Sequence, residues 1–221
     1  GKKIFVYVLP NDLENYDSKK LSLEIGEEVK VFAVNDKDYR PGVDYQFLDE
    51  EVQTRNPEKI EVIEFFWLGC GHCFTLEGLI RDWKKNLSKD IDFWRVPVTW
   101  NPPAKEHAKL FYAAEALGME EIIGSAFTSI HLDRKFLTSE REITELFSAF
   151  GVEPEKYQAI SNSFRIKSNI NAADVYGRKY EIMGVPAFIV NGKYKVKASR
   201  DIPTEELLDV VDHLVDIERS Q

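Results

Sequence analysis

The chain has 221 residues, 43% of them hydrophobic, and a formal net charge of -9 at neutral pH. That length and apolar fraction suffice for a core without staples, and the acidic balance, with lysines interspersed among acids, argues against a nucleic-acid surface. The longest uncharged run, Phe65 to Leu76, is too short to cross a bilayer.

No signal peptide is visible, and a start at Gly1-Lys2-Lys3 without Met reads as a processed or engineered form. Residues 2 to 9 are β-branched and aromatic and stop at Pro10-Asn11-Asp12, which predicts a strand. Leu21 to Ile25 and Val29 to Val34 form a hairpin pattern around Gly26-Glu27. Residues 1–37 therefore read as a β-rich extension, too small to be stable alone and expected to cover a sheet edge or groove of the main domain, with a separate binding module as the alternative.

After the polar junction Asn35 to Asp38, residues 38–101 read as the first part of a sheet domain. Tyr45 to Leu48 is a short strand, and Ile60 to Trp67 an apolar strand of the kind buried on both faces. Cys70 to Leu87 is a helix with Leu76, Leu79, Ile80 and Trp83 on one face. Ile91 to Trp100 is a further strand, interrupted by Pro97. Strand, helix, strand with short links predicts a parallel crossover.

Residues 102–180 are helical. Pro103 sits near a helix start and Gly118 ends that helix; Ile122 to Ile130 line the next. Ser139-Glu140-Arg141-Glu142 is a capping box for a third helix, which stops at Gly151. Pro154 opens a fourth, and Ser163 to Tyr180 is a fifth. Residues 181–221 return to the sheet: Ala187 to Val190 and Tyr194 to Val196 form a hairpin whose two-residue turn, Asn191-Gly192, needs positive φ. Thr204 to Glu218 is a closing helix with Leu207, Leu208, Val211, Leu214 and Val215 buried. The fold class is α/β: a thioredoxin-like fold with an inserted helical subdomain and an N-terminal β-rich extension.

The chemistry lies in Glu64-Phe65-Phe66-Trp67-Leu68-Gly69-Cys70-Gly71-His72-Cys73, which holds the two cysteines of the chain. A Cys-x-x-Cys where a buried strand gives way to a helix reads as a redox motif. At a helix N-terminus, free N–H groups and the positive dipole end favour a thiolate on the first cysteine. Cys70 is the expected nucleophile and Cys73, deeper along the helix, the resolving thiol. As imidazolium, His72 would favour the Cys70 thiolate further, and Gly71 leaves the turn open. A structural zinc site would need a second ligand pair, and His107, His131 and His213 are scattered, so no metal is expected. These three histidines read as solvated or partly buried helix residues.

These residues, together with Phe150-Gly151-Val152 and the run Gly184 to Tyr194, resemble the DsbA-type thiol:disulfide oxidoreductases of the bacterial periplasm, from about Tyr39 to the closing helix. The resemblance implies an enzyme without cofactor that donates its disulfide to reduced, newly exported proteins in the periplasm, and a membrane-bound reoxidising partner of the DsbB type. It further implies that Val185-Pro186 is a cis peptide facing the disulfide. The Val185 backbone, with Pro186 and Gly71, would then face substrate. Glu64 matches the family's buried acid and would relay the proton of Cys73. Gly71 stands where the family usually has Pro, and Gly-His is similar to the dipeptide of protein disulfide isomerases. An isomerase or reductase is one alternative. Another is a chaperone-like module binding through an apolar groove around Trp67, Leu68 and Phe74, with incidental cysteines.

Overall fold

The apolar run from Ile60 to Phe66 becomes an interior strand of a sheet in the computed structural model, which describes residues 39–199 and 202–220. The chain divides into two units between Asp38 and Tyr39, and the described residues all belong to the second. The expected strand at residues 2 to 9 and the hairpin between Leu21 and Val34 lie outside them.

Five strands, β1 (Gln46–Phe47), β2 (Ile60–Phe66), β3 (Ile91–Pro97), β4 (Ala187–Val190) and β5 (Tyr194–Lys197), stand in the order β1-β5-β4-β2-β3. β2 pairs parallel with β3 and antiparallel with β4, and β5 pairs antiparallel with both β4 and β1. A strand hydrogen-bonded on both edges and covered on both faces must be apolar throughout, and β2 is buried from Glu61 to Phe66. Ile63 and Phe65 face one apolar cluster; Val62 faces the other.

Seven helices complete the described chain: α1 (Gly71–Lys85), α2 (Pro102–Leu117), α3 (Glu121–His131), α4 (Glu140–Ala149), α5 (Pro154–Ser161), α6 (Phe164–Lys179) and α7 (Leu207–Arg219). α2 to α6 all fall between β3 and β4. The capping box at Ser139 and Glu142 forms with both its hydrogen bonds, and Gly118 ends α2 with φ +67, a conformation that costs glycine little. α7 and α1 pack on one face of the sheet through Leu76, Ile80, Leu207, Val211, Leu214 and Val215.

Several boundaries differ from expectation for local reasons. β3 ends at Pro97, which has no N–H for the ladder, although Val98 N still donates to Phe66 O at 2.9 Å. Leu79, expected on the buried face of α1, is 41% exposed, because the helix turns Cys73, Leu76 and Ile80 inward instead. The β4–β5 connection contains three residues: Asn191 and Gly192 both take positive φ, and Lys193 N closes the turn on Val190 O before Val190 pairs with Tyr194. The closing helix starts with a 3-10 turn at Thr204–Glu206.

Candidate active site

The redox motif is built on the step from β2 to α1. Beyond Phe66 the chain makes a four-residue turn, closed by Cys70 N donating to Trp67 O at 3.0 Å. Gly69 is required here: a Cβ at that position would lie 2.6 Å from the Trp67 ring. Cys70 is the N-cap of α1 with extended backbone, φ -92 and ψ 123. Its sulfur is half-buried, whereas Cys73, one turn inside, is fully buried.

The two thiols are strongly unequal. Cys70 is held down to about 6, chiefly by the hydrogen bond that the Cys73 thiol donates to it. The backbone N–H groups of Cys73 and His72 and the charge of His72 add to this, against desolvation. Cys73 moves the opposite way, far above an ordinary thiol, first because it is buried and then because the Cys70 and Glu64 charges repel its anion. His72 itself is exposed and its Nδ1 lies 3.2 Å from Thr204 Oγ1 in the 3-10 turn.

Beneath the pair, Glu64 is 0% exposed rather than facing solvent. It is bonded by Arg95 Nε of β3, while Arg95 Nη2 reaches Glu77 of α1 at 2.8 Å and the guanidinium lies over the Phe66 ring. Burial is the largest influence on Glu64 and lifts its carboxyl to about 7; the Arg95 charge opposes this and the Glu77 charge supports it. A carboxyl so poised can take up or release a proton near neutrality. Across the mouth of the turn, Val185-Pro186 is cis, and Cys70 Sγ lies 3.4 Å from Val185 O. The structure thus brings Cys70, Gly71, His72, Cys73, Glu64, Val185 and Pro186 to one end of β2.

A DSBA-like thioredoxin domain model matches residues 78–208. Thiol:disulfide interchange protein DsbA of Pseudomonas aeruginosa is 34% identical over 189 residues, covering 85% of this chain and 90% of that protein. The namesake of Azotobacter vinelandii is 35% identical, covering 85% and 88%. The chain belongs to the DsbA-like family. A crystal structure of Pseudomonas aeruginosa DsbA superposes with a TM-score of 0.78 at 33% identity, covering 82% of this chain and 95% of the other. Oxidoreductase DsbA of Xylella fastidiosa gives 0.75 at 27% identity, covering 80% and 96%. Like these relatives the chain is a thiol:disulfide oxidoreductase.

Within this DsbA-like frame, several residues that the sequence reading passed over surround the pair. Arg95 carried a legible signal: a cation in an apolar strand calls for a buried anion. Glu77 and Thr204 carried none, since each meets the site only through folding. The histidines are also placed by packing. His107 is buried with Nε2 2.9 Å from Phe136 O, and the His213 ring meets Tyr39. His131, at the end of α3, stacks on Phe74 and contacts Leu68 O. Among the described residues no group of three or more His, Cys, Asp or Glu is arranged to hold a metal.

The expected apolar groove needs correction at Leu68, which is 1% exposed and part of the core, so it lines no open surface. The exposed apolar side chains near the turn are different ones: Leu132 and Phe136, which follow His131, and Met183, two residues before Val185. No helix among the described residues is long and apolar enough to cross a membrane.

Proposed function

We propose that this enzyme works as an oxidase of exported proteins in the periplasm, with Cys70 as the sulfur that substrate attacks and Cys73 as the resolving thiol. A substrate thiolate attacks Cys70 Sγ of the oxidised pair, the Cys70–Cys73 bond breaks, and Cys73 leaves as a thiolate that takes up a proton. Glu64 is the nearby acid suited to relay it. A second substrate thiolate then attacks the substrate sulfur of the mixed disulfide and expels Cys70 as a thiolate. The substrate's two thiols become a disulfide, losing two electrons and two protons, and the pair becomes a dithiol. A membrane-bound partner of the DsbB type would remove those electrons and restore the disulfide.

The observation that carries this reading is the asymmetry of the pair. A Cys70 thiolate stable near neutrality is a good leaving group, and it stabilises the reduced form, so the disulfide is a strong oxidant. His72 supports this by its charge. Val185, Pro186 and Gly71 form the substrate-facing rim: the Val185 carbonyl adjoins the sulfur, so main-chain atoms meet an approaching chain, and backbone contacts accept many sequences.

Equilibration with glutathione redox buffers tests the assignment. The pair should remain mostly reduced in buffers that leave an ordinary structural disulfide oxidised, and the oxidised enzyme should oxidise a reduced protein stoichiometrically. A potential near that of thioredoxin, about -270 mV, would replace the oxidase with a reductase. Activity toward client proteins that survives Cys70→Ser intact would support the binding-module alternative.

A further inference from the structure

The turn that presents Cys70 has an unguarded feature. Trp67 to Cys70 is a four-residue turn, so Leu68–Gly69 is its central peptide. The two common turn types differ by rotation of that peptide through about 180°, and the rotated form needs positive φ at the third residue. That residue is Gly69, for which positive φ carries no steric cost. It lies outside the left-handed region in this structure. Contact with the Trp67 ring nevertheless demands glycine there. Packing therefore imposes the one residue that leaves the peptide free to rotate.

A side chain from α3 opposes this rotation. His131 Nε2 lies 2.7 Å from Leu68 O; the carbonyl can only accept, so Nε2 carries the proton. The ring is held by a parallel stack on Phe74, centroids 4.8 Å apart at 9°, and Phe74 is the residue after Cys73. Among the described residues no backbone N–H is bonded to Leu68 O. The His107 ring meets Trp67 at the start of the same turn, while its Nε2 lies 2.9 Å from Phe136 O in the α3–α4 connection.

We propose that His131 is a positioning residue for the redox pair, fixing the Leu68–Gly69 peptide so that Cys70 stays aligned with the N–H groups at the start of α1. The inference rests on Cys70 being the sulfur that substrate attacks. It gives the helical insertion a part in the chemistry: α3 supplies the donor, and loss of that donor lets the turn sample the rotated form, in which Cys70 is less well solvated by backbone N–H groups.

The test uses the full chain with Cys73→Ser and follows alkylation of Cys70 against pH. His131→Phe keeps a ring against Phe74 but removes the donor, while His131→Gln returns an N–H at the Nε2 position. The Phe variant should raise the Cys70 midpoint and cut the alkylation rate at pH 5 by about three- to tenfold, as a half to one pKa unit requires. The Gln variant should lie within about twofold of the parent, a rescue in chemistry beyond mere bulk. Equal profiles for the Phe variant and a parent with a low midpoint, or equal loss in both variants, overturn the role of His131 and leave Cys70 as assigned. A parent midpoint near 8.5 overturns both. Should the Phe variant fail to fold, long-range proton–nitrogen spectra of the unsubstituted protein decide: a protonated Nε2 supports the proposal, and a tautomer protonated at Nδ1 alone overturns it.

Discussion

At the scale of single residues the enzyme depends on three titrating groups whose surroundings pull them apart. Cys70 is lowered first by the Cys73 thiol as donor, so replacements at Cys73 should differ according to whether they keep a donor. Cys73→Ser should leave the Cys70 midpoint near 6, and Cys73→Ala should raise it by about one unit or more; thiolate ultraviolet absorbance against pH reads both. Glu64 is raised by burial, to about 7 from an ordinary 4.5. A carboxyl whose folded pKa lies above its unfolded one adds stability below the unfolded value, and that stability is lost as pH rises through the folded value. The parent should therefore lose more stability between pH 4.5 and 7 than Glu64→Gln does, by an amount on the order of 2–3 kcal/mol. Denaturant midpoints at the two pH values check this. The same variant should slow disulfide exchange at neutral pH, because it removes the acid proposed to relay the Cys73 proton.

At the scale of elements, the site stands where β2 ends and α1 begins, and two neighbouring segments meet it at main-chain atoms: His131 of α3 at Leu68 O, and Val185 through its own carbonyl at the Cys70 sulfur. Cys70 serves as the N-cap without a side-chain capping bond, which leaves the α1 N–H groups available to the sulfur. The opposite rim comes from the segment before β4, and the other end of that strand carries the β4–β5 turn. Gly192 in that turn has φ +63, and a Cβ there would lie 1.9 Å from Val52 O, while Val52 N donates to Gly192 O. Gly192→Ala must displace backbone and take a strained conformation, so it should cost on the order of 2 kcal/mol or more. Chemical denaturation of parent and variant measures this. The Cys70 alkylation midpoint should scarcely move, since the turn lies at the far end of β4 from the sulfur.

At the scale of the whole molecule, redox state and folding stability are linked. The Cys70 thiolate exists only when the pair is reduced, and its folded pKa, about 6, lies below the unfolded one. A depressed acid pKa stabilises the folded protein fully above the unfolded value, and the gain fades as pH falls through the folded value. The reduced protein should therefore resist denaturant better than the oxidised protein at pH 8, with the gap narrowing toward pH 5. Paired denaturation curves at these two pH values provide the check, and midpoints that coincide at pH 8 would remove the link. The C-terminal helix ties the frame together: Glu218 accepts from Asn191 and from Tyr194 and Lys193 at the β4–β5 hairpin.

By itself the sequence determined the redox motif, the buried interior strand β2, the helical stretch between β3 and β4, and the caps at Ser139 and Gly118. Each is local: periodicity, a Cys-x-x-Cys spacing, or a capping pair lies within a few residues of itself. The ends of elements were less legible, as at Pro97 and Lys193, because ladder partners decide where pairing stops. Only the tertiary structure decided which charges answer one another. Glu64, Glu77 and Arg95 come from β2, α1 and β3 and meet because β2 and β3 pair in register beneath α1. His131 lies 63 residues from Leu68 and stands in its own helix as an ordinary last-turn residue. Its meaning comes from the carbonyl it meets, and long-range contacts of that kind leave no periodic mark on the chain.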